Sequence, residues 1–365
     1  LLTATPVENR LQDLYELVSL VAPGLLGTSS DFRRRHIGAR PDDATAPQQP
    51  RNVAELRTRT REVMVRHRRG EVEVMLPQRL AETVLVTPGA DEAGLYADIA
   101  ARIRAEARTA APSRRLALRA LTRLAGSSPA AVAPTLEKVG WVDLAAKAAA
   151  TGRTTKASAL LDRLRPHVET EEKVIVFTAF RQTLEMLVDA LGAAGVPAAV
   201  YHGSLSRQDK EKAIAAFRDE SPVLLTTESA GEGRNLQFCH VMVNMDLPWN
   251  PMQIEQRLGR LHRVGQEHDV LLTNLVARGT IEQRILHVLE SKINLFELVV
   301  GELDMILGHV EDEFDFETTV FDAFVDSNDE DEFADRLEDL GDQLSRARAD
   351  YLSTRGAVDA LVGEE

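Results

Sequence analysis

The sequence predicts an α/β chain. A parallel sheet with helices on both faces is joined to a largely helical insertion and a helical, acidic C-terminal extension. Three observations predict it. From about residue 172, short continuous apolar runs alternate with amphipathic stretches, the pattern of strands buried on both faces and linked by helices. Residues 91–165 are rich in Ala, Arg and Leu at helical spacing. Residues 302–342 hold seventeen acids against one arginine, with Phe314, Phe316, Phe321, Phe324 and Phe333 interspersed.

Taken in order, residues 7–26 read as a helix. Leu11, Leu14, Leu17, Val18 and Val21 recur at helical spacing, and Pro23-Gly24 ends the run. Residues 40–51 hold three prolines among polar residues and read as a loop. Residues 52–69 are Arg-rich and helical in pattern, and 83–87 form a short strand. Several helices follow over 91–165, broken at Gly126-Ser127-Ser128-Pro129. Strands are expected at 173–178, 198–201, 223–226, 240–246 and 269–276. The intervening helices are expected after 178 to about Leu191, over 206–217 and 252–262, and over 281–300. In such sheets the functional loops leave the carboxyl ends of the strands, here after Thr178, Tyr201, Thr226 and Asp246.

Composition excludes several classes. The chain has 365 residues, 44% hydrophobic, which is globular and not disordered. One cysteine excludes a disulfide framework and a multi-cysteine metal site. Cys239 borders an apolar strand and reads as an inert core thiol. No apolar run reaches the ~20 residues that span a membrane, so no membrane partner is expected. The opening residues lack a basic n-region, a cleavage site and an initiator Met, so a fragment of a longer protein is expected rather than a signal peptide.

The sharpest segment is Gln256-Arg257-Leu258-Gly259-Arg260-Leu261-His262-Arg263-Val264-Gly265-Gln266. On the expected helix, Arg260 and Arg263 are three apart and leave the same face. Two guanidinium forks can grip phosphoryl oxygens and neutralise charge that develops during transfer, whereas two arginines alone are more often an exposed salt-bridging face. Gly231 and Gly233 allow a tight turn and close backbone approach to a ligand. Thr226, Thr227 and Ser229 offer hydroxyls and amides for a phosphate. His202-Gly203-Ser204 ends a strand; its imidazole or amides either meet a phosphate or are plain surface or core. Trp249 either packs on the body or lies against a groove or base.

These eleven residues resemble motif VI of superfamily-two helicases in the form used by Swi/Snf-type ATPases. Other motifs stand in the family's order. Leu2-Thr3-Ala4-Thr5-Pro6-Val7-Glu8-Asn9 resembles motif III, and residues 173–180 resemble motif IV. Residues 201–204 resemble the segment after it, residues 226–236 motif V, and Asp246-Leu247-Pro248-Trp249-Asn250-Pro251 the turn before motif VI. Residues 56–68 with Leu76-Pro77 resemble the segment joining the two lobes. The Gly-Glu-Gly-Arg-Asn and Trp-Asn-Pro wording is closest to bacterial members, the RNA-polymerase-associated branch included. The resemblance covers roughly residues 1–300.

The resemblance implies a RecA-like sheet and a division into 1–36 (end of the first ATPase lobe), 37–165 (helical linker and insertion), 166–300 (second lobe) and 301–365 (acidic extension). It implies a DNA-stimulated, ATP-dependent duplex translocase. The alternatives are a strand-separating helicase and a non-catalytic nucleic-acid or protein docking module. Arg260 and Arg263 would be the catalytic arginine fingers. Gln256, Gly231, Glu232, Gly233 and Asn235 would line the nucleotide. Thr3, Thr5, Thr178, His202, Gly203, Thr226, Thr227, Ser229 and Trp249 would face nucleic acid. The cofactor would be ATP with Mg. The phosphate loop and Mg-binding carboxylate, absent from this sequence, would come from the N-terminal ATPase lobe of the same protein. Asp91-Glu92-Ala93-Gly94 mimics the helicase acidic box but follows Pro88-Gly89, and reads as a turn or helix start. The isolated chain is expected to be inactive. Partners would be double-stranded DNA and, through the acidic extension, a protein such as RNA polymerase, in the cytoplasm at the nucleoid.

The formal charge is −14. Residues 302–342 carry −16 of it, so the remainder is +2. Residues 31–70 hold eleven arginines against five acids, a surface suited either to phosphates or to a solvated helix face with contacts between lobes. The acidic segment is expected either to dock on a basic surface, in competition with DNA, or to bind a partner.

Overall fold

The computed structural model describes residues 11–37, 51–61, 63, 77–152, 154–227, 236–263, 265–295, 306 and 315–362. The chain divides into two compact units. Leu1–Met75, Leu298–Phe314 and Leu340–Glu365 form one; Leu76–Glu297 and Asp315–Asp339 form the other. Among the described residues no helix is long and apolar enough to cross a membrane.

In the first unit, α1 (Leu11–Val21), α2 (Ser29–His36) and α3 (Val53–Arg61) enclose Leu14, Val18, Leu26, Phe32 and Leu56. Thr28 caps α2 by accepting from the Asp31 amide. Part of the expected basic surface is internally paired. Arg34 meets Asp31 at 2.6 Å, and Arg35 and Arg59 share Glu55 at 3.7 and 2.9 Å.

The second unit holds a six-stranded sheet in the order β1-β6-β5-β2-β4-β3, every pairing parallel. The strands are β1 (Arg79–Val86), β2 (Val174–Phe177), β3 (Ala198–Tyr201), β4 (Val223–Thr226), β5 (Val241–Asn244) and β6 (Val270–Ala277). β2, β4 and β5 are buried at every residue, as continuous apolar runs require. Successive side chains serve opposite faces. Val174 and Val176 pack with Leu160 and Leu164 of α8 (Thr155–Glu169) and with Leu184 and Leu187 of α9 (Arg181–Ala193). Ile175 and Phe177 pack with Phe217 of α10 (Arg207–Asp219) and Leu258 of α11 (Pro251–Leu258). Helices therefore cover both faces, as the sequence predicts.

Between β1 and α8 come α4 (Ala90–Ala107), α5 (Pro112–Ser127), α6 (Pro129–Lys138) and α7 (Val142–Ala150). The break at Ser128-Pro129 is real: Ser128 ends α5, and its hydroxyl accepts from the Ala131 amide to start α6. The acidic-box mimic is the start of α4, where Glu92 accepts from the Gly89 amide at 3.2 Å. After β6 come α12 (Ile281–Ile293), α13 (Phe316–Asp326) and α14 (Glu330–Val362). β1 lies within the stretch assigned to linker and insertion, yet pairs with β6 along its whole length, from Arg79 with Val270 to Val86 with Ala277.

The acidic segment docks on arginines of α4 and α5. Arg104 pairs with Glu330 at 2.6 Å, Arg115 with Asp322 at 2.7 Å and Arg123 with Glu317 at 3.2 Å. Arg119 meets Asp315 and Thr318. Arg108 donates to the Val325 and Ser327 carbonyls at 3.0 and 2.9 Å, where the C-terminal end of α13 favours a cation. Phe316, Phe321 and Phe324 are buried beneath. The basic surface it covers is thus the α4–α5 face.

Candidate functional site at the carboxyl edge of the sheet

β2, β3, β4 and β5 end level, because Phe177 is in register with both Thr226 and Asn244, and Tyr201 with Thr226. Their loops therefore meet on one edge. Asp246, buried, organises that edge. Its Oδ1 accepts from the Ala179 amide at 2.7 Å. Its Oδ2 accepts from the Ser127 hydroxyl at 2.9 Å and from the Thr178 hydroxyl. Ser127 and Ser128 each lie 2.7 Å from the Thr183 hydroxyl, so the α5–α6 junction is tied to the edge as well. A buried carboxylate is tolerable only with this many donors.

The arginine segment begins at α11. Asn250 caps it by accepting from the Met252 amide at 2.9 Å, and Pro251 occupies N1, where its missing N–H costs nothing. Arg257 points inward. It donates to Asn244 Oδ1 at 2.8 Å and to the Asp246 carbonyl at 3.2 Å, and lies 5.3 Å from the Phe177 ring. Asn244 in turn donates to Asn274 at 2.8 Å. The helix stops at Leu258, earlier than expected. A Cβ at Gly259 would meet the Glu255 carbonyl at 3.3 Å. Beyond it the chain runs in tighter turns, with Arg260 N on Arg257 O at 3.1 Å and Leu261 N on Leu258 O at 3.1 Å. The premise that Arg260 and Arg263 share a helical face is thus corrected: both lie on this turn.

The turn is pinned from three sides. Leu258 and Leu261 sink into the core beside Phe177 and Met242. The His262 ring accepts from Arg79 at Nδ1 (3.0 Å), and its Nε2 donates to the Pro77 carbonyl (2.8 Å). Gln266 is buried, and its amide donates to the carbonyls of Cys239 (3.1 Å), Gln237 (3.2 Å) and Leu261 (3.3 Å) while accepting from the His268 amide (3.1 Å). Gly265 sits at φ +97°, a left-handed conformation that costs glycine little. Arg260 is left half-buried, and Arg263 and Gln256 are exposed.

At the far side of the edge His202 is buried. Its Nδ1 lies 3.3 Å from the Arg181 guanidinium and 3.0 Å from the Ser204 hydroxyl. Burial, then the Arg181 charge, hold its pKa below the usual 6.5. The ring is therefore neutral at pH 7, and Nδ1 accepts. Gly203 is exposed beside it.

Several nucleic-acid assignments change. Thr178 is buried with its hydroxyl given to Asp246. Thr226 is fully buried, and its hydroxyl donates to the Thr227 carbonyl at 2.7 Å. Trp249 packs on the body, 2% exposed. These three side chains build the edge from within and present nothing to a ligand. Thr227 stays half-buried, its amide on the Tyr201 carbonyl at 3.2 Å. Thr3, Thr5, Ser229, Gly231, Glu232, Gly233 and Asn235 lie outside the described residues. Cys239 is the expected core thiol: burial pushes its pKa up to about 12. Sequence reasoning missed Asp246 as a hub and Arg257 as an anchor. The available signal was polar residues (Asn244, Asn274) inside otherwise apolar strands.

Residues 155–265 match the helicase conserved C-terminal domain, and residues 1–129 match the SNF2-related domain. The chain belongs to the SNF2-related, helicase-like family. An uncharacterized ATP-dependent helicase of Bacillus subtilis, YqhH, is 35% identical over 370 residues, covering 98% of this chain and 64% of that protein. The DNA repair and recombination protein RDH54 of Saccharomyces cerevisiae is 24% identical over 323 residues, 84% of this chain and 34% of that one. The RNA polymerase-associated protein RapA of Pseudomonas putida is 38% identical over 141 residues, 38% of this chain and 15% of that one. This SNF2-family chain therefore spans less than two thirds of each of these relatives.

Proposed function

We propose that this chain supplies the arginine-bearing second lobe of a DNA-stimulated, ATP-dependent translocase on duplex DNA. The observation that carries the reading is the turn at 259–266. Leu258, Leu261, His262 and Gln266 fix its backbone, His262 and Gln266 through bonds to residues at the amino ends of β1 and β5, while Arg263 stays exposed and Arg260 half-buried. Guanidinium groups carried on a fixed backbone suit the terminal phosphate of ATP: little reorganisation is needed when charge builds on the transferring phosphoryl. Magnesium does not fit the described part of the site. Asp246 has both oxygens taken, and no group of three or more metal-ligating side chains exists among the described residues. We assign the metal and the phosphate loop to the other lobe, and the 365 residues alone are expected not to turn ATP over.

Duplex DNA fits the carboxyl edge at the His202–Ser204 loop, where Arg181 donates to Ser204 at 2.6 Å and the charges of Arg181 and Lys210 outnumber that of Glu185. The RDH54 relative is named for DNA repair and recombination. The name of the RapA relative makes RNA polymerase a partner to test, with the nucleoid the matching place. In the full-length protein, Arg260→Ala and Arg263→Ala should each reduce DNA-stimulated hydrolysis at least a hundredfold with an unchanged melting temperature. Turnover within threefold of the parent refutes the finger assignment. A strand-displacement assay on the same protein separates translocase from helicase.

A further inference from the structure

The second unit contains a cavity of about 510 Å³ that shares no residue with the arginine turn. It opens where the carboxyl ends of β1 and β6 meet α4, the α5–α6 junction and the starts of α8 and α12. That volume is in the range of sites that enclose a small organic molecule. Leu95, Ile99 and Val132 give it an apolar wall, and all three line it directly.

Its charge is one-sided. Four cations line it, Arg104, Lys156, Arg278 and Arg284, against two carboxylates, Glu92 and Glu330. The carboxylates are already occupied. Glu92 accepts from the Thr155 amide and hydroxyl, and Glu330 pairs with Arg104. Lys156, buried, is paired with Glu282 at 3.1 Å. Arg278 and Arg284 are both exposed, and neither guanidinium has an ion pair among the described residues. α6, α8 and α12 all begin at the cavity, so their positive ends add to the same sign. The Tyr96 hydroxyl, held protonated by burial, accepts from the Ile281 amide at 3.0 Å and fixes the start of α12.

We propose that this cavity binds a small amphipathic anion: one sulfonate, phosphate or carboxylate held by Arg278 and Arg284 at the mouth, with an apolar body against α4. The reading stands independently of the arginine turn. The probe is 8-anilinonaphthalene-1-sulfonate, titrated by fluorescence into this chain. Saturable binding near one site per chain is expected. Arg278→Glu with Arg284→Glu should raise Kd at least tenfold, because two charge-assisted contacts become repulsive. Ala100→Phe, which fills the cavity, should do the same. Inorganic phosphate at 10 mM should displace the probe less than twofold, because it lacks the apolar body. No saturable binding, or a Kd within twofold of the parent in the arginine double variant, overturns the proposal. Both arginines are exposed, so their variant keeps the fold and decides the matter even where Ala100→Phe does not. Full displacement by phosphate alone also overturns it, since the cavity would then add nothing to the arginines.

Discussion

Gln266→Ala should loosen the arginine turn without touching either arginine. The parent amide serves four backbone groups from a position 5% exposed. After truncation the Leu261 carbonyl keeps its bond from the Arg263 amide at 3.1 Å. The Gln237 and Cys239 carbonyls and the His268 amide each lose the bond Gln266 made. At about 1 kcal/mol per lost bond to a buried group, the cost is about 3 kcal/mol, reduced toward 2 where water enters the gap. That corresponds to about 5–10 °C in melting temperature for a unit of this size. Trp141 and Trp249 both belong to the second unit, so tryptophan fluorescence during urea unfolding reads this unit directly. Turnover of the full-length protein should fall at least tenfold, because a displacement of about 1 Å in a catalytic group can cost two orders of magnitude. A stability change below about 0.5 kcal/mol refutes the pinning argument. The full stability loss with turnover within twofold of the parent would instead refute the link between pin and arginines.

Asp246→Asn places an amide NH2 among three donors and should cost about 2–4 kcal/mol, measured by the same urea transition; a change under about 1 kcal/mol contradicts the hub. His202 should titrate below 6.5 by NMR, since burial and Arg181 oppose its charge. Its native state then binds fewer protons than the unfolded chain just below pH 6.5. Its contribution to stability is therefore present above that pH and lost as pH falls toward the folded pKa. A midpoint at or above 6.5 excludes the neutral-acceptor assignment.

What the sequence makes legible follows from where each element's free energy comes from. β2, β4 and β5 bury every side chain, so their apolar runs announce them. β1 was legible only from Thr83 onward. Leu80, Ala81 and Glu82 are exposed on the sheet's edge strand, and pairing with β6, nearly two hundred residues away, holds them extended. The early end of α11 was hidden for a similar reason. The periodicity of Leu258, Leu261 and His262 continues a helix on paper, but the bonds that tighten the turn go to Pro77, Gln237 and Cys239. Thr178, Thr226 and Trp249 occupy the expected loops with side chains directed inward, because motif position fixes the loop and packing fixes the rotamer.

The segregated charge has acquired an address. The −16 segment, expected to dock on a basic surface or bind a partner, has Asp315, Glu317, Asp322 and Glu330 on the arginines of α4 and α5. Removing residues 302–365 would also strip Phe316, Phe321 and Phe324 from the core, so a truncation confounds charge with folding. Converting those four acids to Asn or Gln keeps the phenylalanines and unmasks Arg104, Arg115, Arg119 and Arg123. Phosphate binding by unmasked arginines releases counterions, each contact adding about 0.9 to the slope of log K against log salt. If the acids compete with DNA, the amide variant should bind duplex DNA more tightly at low salt, with a slope steeper by about one to three. Unchanged affinity and slope in a folded variant would make the acidic helix a structural strut, with DNA gripped elsewhere on the edge.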